Sequence, residues 1–232
     1  MLTQSTSIPI FPLNVVLFPG MMLPLHIFEE RYKVMTRECL DTGEPFGVVL
    51  AKTRDALETN GLNYFDDIYH VGTTAHITAV EHLDNGRMNV ITVGQDRFII
   101  RDITIDADDL LIGQVDPFPM KEGSALEVNY LIQKLRPMVE QYIQHLADAS
   151  GEDLSEATLP SDPTALAFLA GTAIQGPLAE KQKLLSTESL NTLIANTASM
   201  LDREDKILSY MLRAYDVHRK AQTLPFVDYS LN

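Results

Sequence analysis

The chain has 232 residues, 45% of them hydrophobic, and carries 18 Lys and Arg against 32 Asp and Glu, a formal charge of −14. That length allows a sizeable core in one or two domains. The acidic balance extends over both halves (8 basic and 17 acidic in residues 1–118, 10 and 15 in 119–232) and argues against nucleic acid, whose phosphates are held by Lys and Arg. One cysteine, Cys39, excludes an internal disulfide and a multi-cysteine zinc site.

The opening MLTQSTSIPI lacks the basic start and long apolar core of a signal peptide, and no window reaches the roughly 18 apolar residues of a membrane span. The expectation is a cytoplasmic protein with no membrane partner. Residues 9–32, PIFPLNVVLFPGMMLPLHIFEERY, are apolar and punctuated by proline. Proline lacks a backbone donor, so Pro12, Pro19 and Pro24 belong at strand ends, edges or turns. Pro19-Gly20 is the strongest turn signal, flanked by short strands at 14–18 and 22–27. Phe28, Tyr32, Met35, Cys39 and Leu40 then fall at helical spacing, and Gly43 ends that helix. Cys39 reads as a small core hydrophobe.

Residues 46–51 read as a buried strand and 52–70 as a long surface connection. Strands follow at 71–82, 88–93, 98–105 and 110–115. Asn85-Gly86 is the preferred pair for a type I′ hairpin, and residues 94–97 read as a further bend. Turns every dozen or so residues without a long helical period indicate a closed or nearly closed antiparallel barrel. Asp116-Pro117-Phe118-Pro119 marks a boundary, and the chain beyond it is helical. Ser124 and Glu127 form a capping box, and Pro137 interrupts the helix that follows. Asp162-Pro163 starts a second helix that stops at Gly176-Pro177. A short helix covers 178–185. Ser186 is expected to cap a long last helix with the stripe Leu190, Leu193, Ile194, Thr197, Leu201, Leu208, Met211, Leu212 and Tyr215.

Three stretches carry a family resemblance. FPLNVVLFPGMMLPLHIFEERY resembles the opening of the substrate-binding domain at the N-terminus of Lon proteases. VGTTAHITAVEHLDNGRMNVITVGQDRFIIRDI is similar to that domain's middle segment, with its VGT and G–RF–I patterns. DPTALAFLAGTAIQGPLAEKQKLLSTESLNTLI resembles the helical subdomain after it, with the KQ-LL core as Lys181, Gln182, Leu184 and Leu185. Glu30 departs from the proline the family often carries before Arg-Tyr. The resemblance implies an α+β fold: a PUA-like antiparallel β pseudo-barrel with one short helix, then a C-terminal helical subdomain. The expected division is 1–118 for the barrel, 119–222 for the helices and 223–232 for a tail.

Catalytic signatures are missing from the sequence. It contains no GxxxxGK[ST] phosphate loop, no GxSxG and no HExxH. His76 and His82 share strand parity but lack a tight ligand spacing, so no metal and no cofactor is assigned. The reading is a stand-alone, non-catalytic module that binds unfolded or partner polypeptide, compatible with a protease or chaperone beside it. Flexible thioethers and apolar rings suit such binding. The candidate contact residues are Met21 and Met22 past the Pro19-Gly20 turn, and Phe118 and Met120 at the junction of the halves. Ordinary core packing is the alternative for all four. A small-molecule regulator with a pocket on the barrel or between the subdomains is the alternative function. RNA binding, suggested by the PUA-like fold alone, is opposed by the charge.

Overall fold

The computed structural model describes residues 2–52, 64–151 and 158–223. The centre of the 52–70 connection, most of the 151–161 loop and the residues from 224 onward lie outside that description. Among the described residues the N-terminal half has six strands: β1 (Thr6–Leu13), β2 (Met22–Ile27), β3 (Phe46–Leu50), β4 (Val71–His82), β5 (Met88–Ile105) and β6 (Leu111–Pro117). Their order is β2-β5-β4-β3-β1-β6, and an added β5–β6 pairing closes the barrel. The length of β5 makes closure possible. Its first residues, 88–93, lie between β2 and β4, and from Phe98 onward β6 takes the place of β2. Among these strands every pairing is antiparallel except β1–β3. That parallel pair exists because β2 and helix α1 (Glu30–Thr42) carry the chain back between the two strands.

Several local expectations are corrected. Residues 14–18 form no strand; the strand lies upstream as β1, which includes Pro9 and Pro12. Pro12 sits beyond Ile10, the last β1 residue paired with β6, and Leu13 turns its carbonyl to Ala51, so the missing donor of Pro12 points to the side where, among the described residues, β1 has no partner. Val16, Leu17 and Phe18 are instead buried without ladder pairing, and Phe18 is fully buried. Residues 94–97 are continuous strand within β5. Gly94 is needed there because a Cβ would lie 2.4 Å from the Phe18 carbonyl oxygen. The hairpin at Asn85-Gly86 has the expected backbone, with φ of 62° and 68°. Helix α1 ends as expected on Gly43 at φ 75°, but Phe28 lies outside it and is 59% exposed. Cys39 is buried on α1, and desolvation pushes its thiol up to about 11.

A short turn α2 (Tyr64–Asp67) precedes β4, and the C-terminal half is α3 (Ala125–Ser150), α4 (Pro163–Ala173), α5 (Leu178–Leu185) and α6 (Leu190–Thr223). Pro137 does not break α3, which runs through it, with the proline exposed. The capping box does not form: Ser124 makes no side-chain cap, and Glu127 accepts a hydrogen bond from Asn191 of α6. Asp162 does cap α4, accepting from the Ala165 N–H at 2.7 Å. The last helix begins after Ser189 rather than Ser186. Helices α3 and α6 run parallel, since Glu127 meets Asn191, Gln141 meets Asp205 and His145 meets Ser209. One core joins the two halves, with Val16, Phe18 and Leu50 packing among Leu135, Leu166, Phe168, Leu193 and Ile194. The α6 stripe is buried through Leu201, whereas Met211 is 61% exposed.

Candidate functional site

The Pro19–Gly20 turn is built from its own sequence. Met21 N–H donates to the Phe18 carbonyl at 3.0 Å, closing a four-residue turn with Pro19 and Gly20 at its centre. Gly20 has φ 81°, which makes the turn type II, with proline where φ is preset and glycine where it must be positive. Both sides of the turn are tied to one strand residue: Gly20 N–H donates to the Gly94 carbonyl at 2.8 Å, and Gly94 N–H donates to the Met21 carbonyl at 3.0 Å.

A groove opens on each side of this turn. One, of about 370 Å³, is lined by Pro19 and Gly20, by Asp96, Arg97, Phe118 and Met120 at the end of the barrel, and by Asp162, Ala165 and Phe168 of the helical half. The other, of about 300 Å³, is lined by Pro19, Gly20, Met21, Met22, Pro160, Ala165, Leu169 and Thr172, and is almost wholly apolar. Pro19, Gly20 and Ala165 belong to both. The four sequence candidates therefore divide in pairs, Met21 and Met22 in the second groove and Phe118 and Met120 in the first. Met22 is 68% exposed, and the other three are half-buried.

Arg97 forms the floor of the first groove. It is buried, with Nη1 donating to the carbonyls of Leu185 and Thr187 at 2.6 Å each and Nη2 contacting Met120 Sδ at 3.8 Å. Its guanidinium lies 4.8 Å from the Phe118 ring centre and 5.5 Å from that of Phe168. Burial pushes its pKa down to about 10, with Glu188 opposing that fall. The two carbonyls lie at the C-terminal end of α5, where the helix dipole favours a cation. Arg97 thus clamps barrel to helices and holds Phe118 and Met120 in the groove wall.

Of the motifs that carried the resemblance, VGT and KQ-LL hold the fold. Thr73 donates to the Leu17 carbonyl at 2.6 Å. Lys181 donates to the last carbonyls of α4, those of Thr172 and Ile174, at 3.1 and 2.9 Å, and burial lowers its pKa. Gln182 donates to the Val71 carbonyl at 2.9 Å, and Leu184 and Leu185 are buried. The α4 side of the grooves was not legible in the sequence. PTALAFLAGTA carries no charge, so nothing distinguishes the half-buried Ala165–Leu169–Thr172 line from the fully buried face.

Two other constellations carry no chemistry. His145 Nδ1 lies 2.7 Å from Asp205 and 3.3 Å from Ser209, so carboxylate and hydroxyl share one ring nitrogen. A relay requires them on opposite nitrogens. His76 and His82 lie on β4, but the irregularity between Ile77 and Ala79 resets the alternation that would have put them on one face. Among the described residues, no three His, Cys, Asp or Glu side chains are grouped to hold a metal, and no helix is long and apolar enough to cross a membrane.

The family model of the ATP-dependent protease La (LON) substrate-binding domain matches residues 7–203. Lon protease of Rhizobium meliloti is 25% identical over 209 residues, which are 89% of this chain and 25% of that protein. Lon protease 2 of Myxococcus xanthus is 26% identical over 205 residues, 87% of this chain and 24% of that protein. The chain thus spans about a quarter of the length of these relatives. Among solved structures, a Lon N-terminal domain protein from Xanthomonas campestris superposes with a TM-score of 0.59 at 22% identity, covering 84% of this chain and 98% of its own. The N-terminal domain of Mycobacterium avium complex Lon protease superposes with a TM-score of 0.61 at 18% identity, covering 85% and 98%. These likenesses establish the fold.

Proposed function

The chain belongs to the Lon substrate-binding domain family, and from that premise we propose that it is a non-catalytic module binding unfolded or exposed apolar polypeptide in the grooves beside the Pro19–Gly20 turn. The observation that carries this reading is the convergence of Met21, Met22, Phe118 and Met120 on two concavities that share one turn. The turn is fixed by three backbone hydrogen bonds, so little order has to be imposed on it when a segment binds. The methionines, by contrast, can repack against different side chains, and that suits a binder of varied sequences. Working in the cytoplasm, the module would present its clients to a protease or chaperone.

Retention of a chemically unfolded, neutral protein on the immobilised chain tests the proposal. Retention above that on an immobilised folded acidic protein of the same net charge as this chain is expected; equal retention on the two surfaces would refute it. The first groove, at about 370 Å³, is also of a size that accepts a small molecule. A metabolite that raises Tm while unfolded peptides leave it unchanged would favour that second reading.

A further inference from the structure

The proposed function leaves the way a segment is held undefined, and strand β2 supplies one. Among the described residues β2 pairs with β5 alone, so its other side is an edge. Gly94 N–H donates to the Met21 carbonyl, which fixes the phase of the ladder. Counting in twos, Leu23, Leu25 and Ile27 turn their backbone groups toward β5, while Met22, Pro24 and His26 turn theirs outward. The side-chain bonds agree, since Thr92 of β5 donates to the Leu23 carbonyl at 3.0 Å, whereas the Ile91 carbonyl, opposite Pro24, accepts from Thr78 of β4. Pro24 therefore stands where its missing donor interrupts no pairing. The outward edge offers the N–H groups of Met22 and His26 and the carbonyls of Met22, Pro24 and His26. Among the described residues, no hydrogen bond outside the β2–β5 ladder uses them.

The barrel surface beside this edge is apolar at its Met22–Pro24 end and polar across from His26, where Asn89 bonds the His26 ring and the Glu81 carboxylate. Met22, Phe28 and Ile91 are 68%, 59% and 43% exposed, and Ile91 lies directly across from Pro24. Alternating donors and acceptors at strand spacing match only another extended backbone, and the bare face beside them suits apolar side chains at every second position. At its Met22 end the edge runs into the apolar groove of Met21, Leu169 and Thr172. A second copy of this chain fits less well, because antiparallel pairing centred on the two-fold would oppose Pro24 to Pro24, with both donors missing. The charge of −14 favours neutral or basic segments over acidic ones.

We propose that the free edge of β2 takes an extended, neutral-to-basic polypeptide segment by strand addition, with alternate apolar side chains lying over Met22, Pro24 and Ile91. This rests on the polypeptide-binding reading above and adds the mode of binding to it. The probe is a ten-residue peptide alternating Val and Lys, compared with the same peptide N-methylated either at every Val or at every Lys. In antiparallel addition, valines lying over the apolar face turn their amides toward β2, so methylation at Val should weaken binding by about tenfold or more, and methylation at Lys should change it by less than about threefold; parallel addition would reverse the two. Hydrogen exchange at the Met22 and His26 amides should slow when the unmodified peptide is bound.

Equal affinities for the two methylated peptides, or protection confined to the grooves, would overturn strand addition and leave the polypeptide-binding reading standing. No binding of the unmodified peptide, with unfolded protein still retained, would do the same. Loss of both would overturn both. Concentration-dependent protection of Met22 and His26 in the chain alone would assign the edge to a second copy and overturn the proposal.

Discussion

Replacing Arg97 with methionine tests how the two halves are joined. The guanidinium makes two short bonds to the carbonyls of Leu185 and Thr187 and lies against the rings of Phe118 and Phe168. Bonds from a charged donor contribute about 1.5–3 kcal/mol each, and ring contacts about 0.5–2 kcal/mol. Removing a buried cation recovers part of its desolvation cost, but two carbonyls lose their donor at about 1–3 kcal/mol each. The net expectation for Arg97→Met is a loss of about 2–4 kcal/mol, with Arg97→Lys intermediate because an ammonium lacks the planar fork. Urea unfolding followed by far-UV circular dichroism reads this as a midpoint lowered by about 1–2 M at a slope near 2 kcal/mol/M. A midpoint within about 0.25 M of the parent would show that the clamp contributes nothing.

Gly94→Ala should destabilise by about 2–4 kcal/mol, because its methyl would meet the Phe18 carbonyl oxygen at 2.4 Å and that neighbour is backbone; a thermal melt at the parent temperature would contradict the close approach. Pro137→Ala should stabilise by about 1–3 kcal/mol, since the proline is exposed within a continuous α3 and alanine restores the helical donor. An unchanged or lower urea midpoint would count against this. Cys39, held up at about 11 against an ordinary value near 9, should resist thiol reagents at neutral pH. Its raised folded value contributes stability that is complete below pH 9 and lost as pH rises toward 11, a slope that Cys39→Ala should remove. Rapid labelling of the folded chain, or an identical pH profile for the variant, would refute that assignment.

Much of the fold was legible because its signals are local. Pro19-Gly20, Asn85-Gly86, Gly43 and Asp162-Pro163 each demand a particular backbone, and each has it. The misreadings arise where a tertiary partner decides. Gly94 looked like a bend because glycine usually marks one, yet it serves to let the Phe18 backbone approach. Phe28 fits the helical period of α1 but precedes its first turn and is left in solvent. Ser124 and Glu127 have capping-box spacing, but Asn191, distant in sequence, engages the glutamate. The same holds for the candidate site. Four apolar residues could be chosen from the sequence, but the α4 wall facing them could not, because an uncharged helix gives no sign of which side stays open.

The central claim is that the grooves beside Pro19–Gly20 hold apolar polypeptide, and Ala165 is the α4 residue that lines both. The most direct measurement is fluorescence anisotropy of a labelled, permanently unfolded protein titrated with three chains: the parent, Ala165→Glu, and Leu126→Glu as a control. Leu126 is 84% exposed on α3 and lines neither groove, so its variant carries the same added charge elsewhere. Ala165→Glu should weaken binding by about tenfold or more through a carboxylate placed in both grooves, while Leu126→Glu stays within about twofold of the parent. Equal affinities for the two variants would contradict the claim and place client binding elsewhere on the molecule.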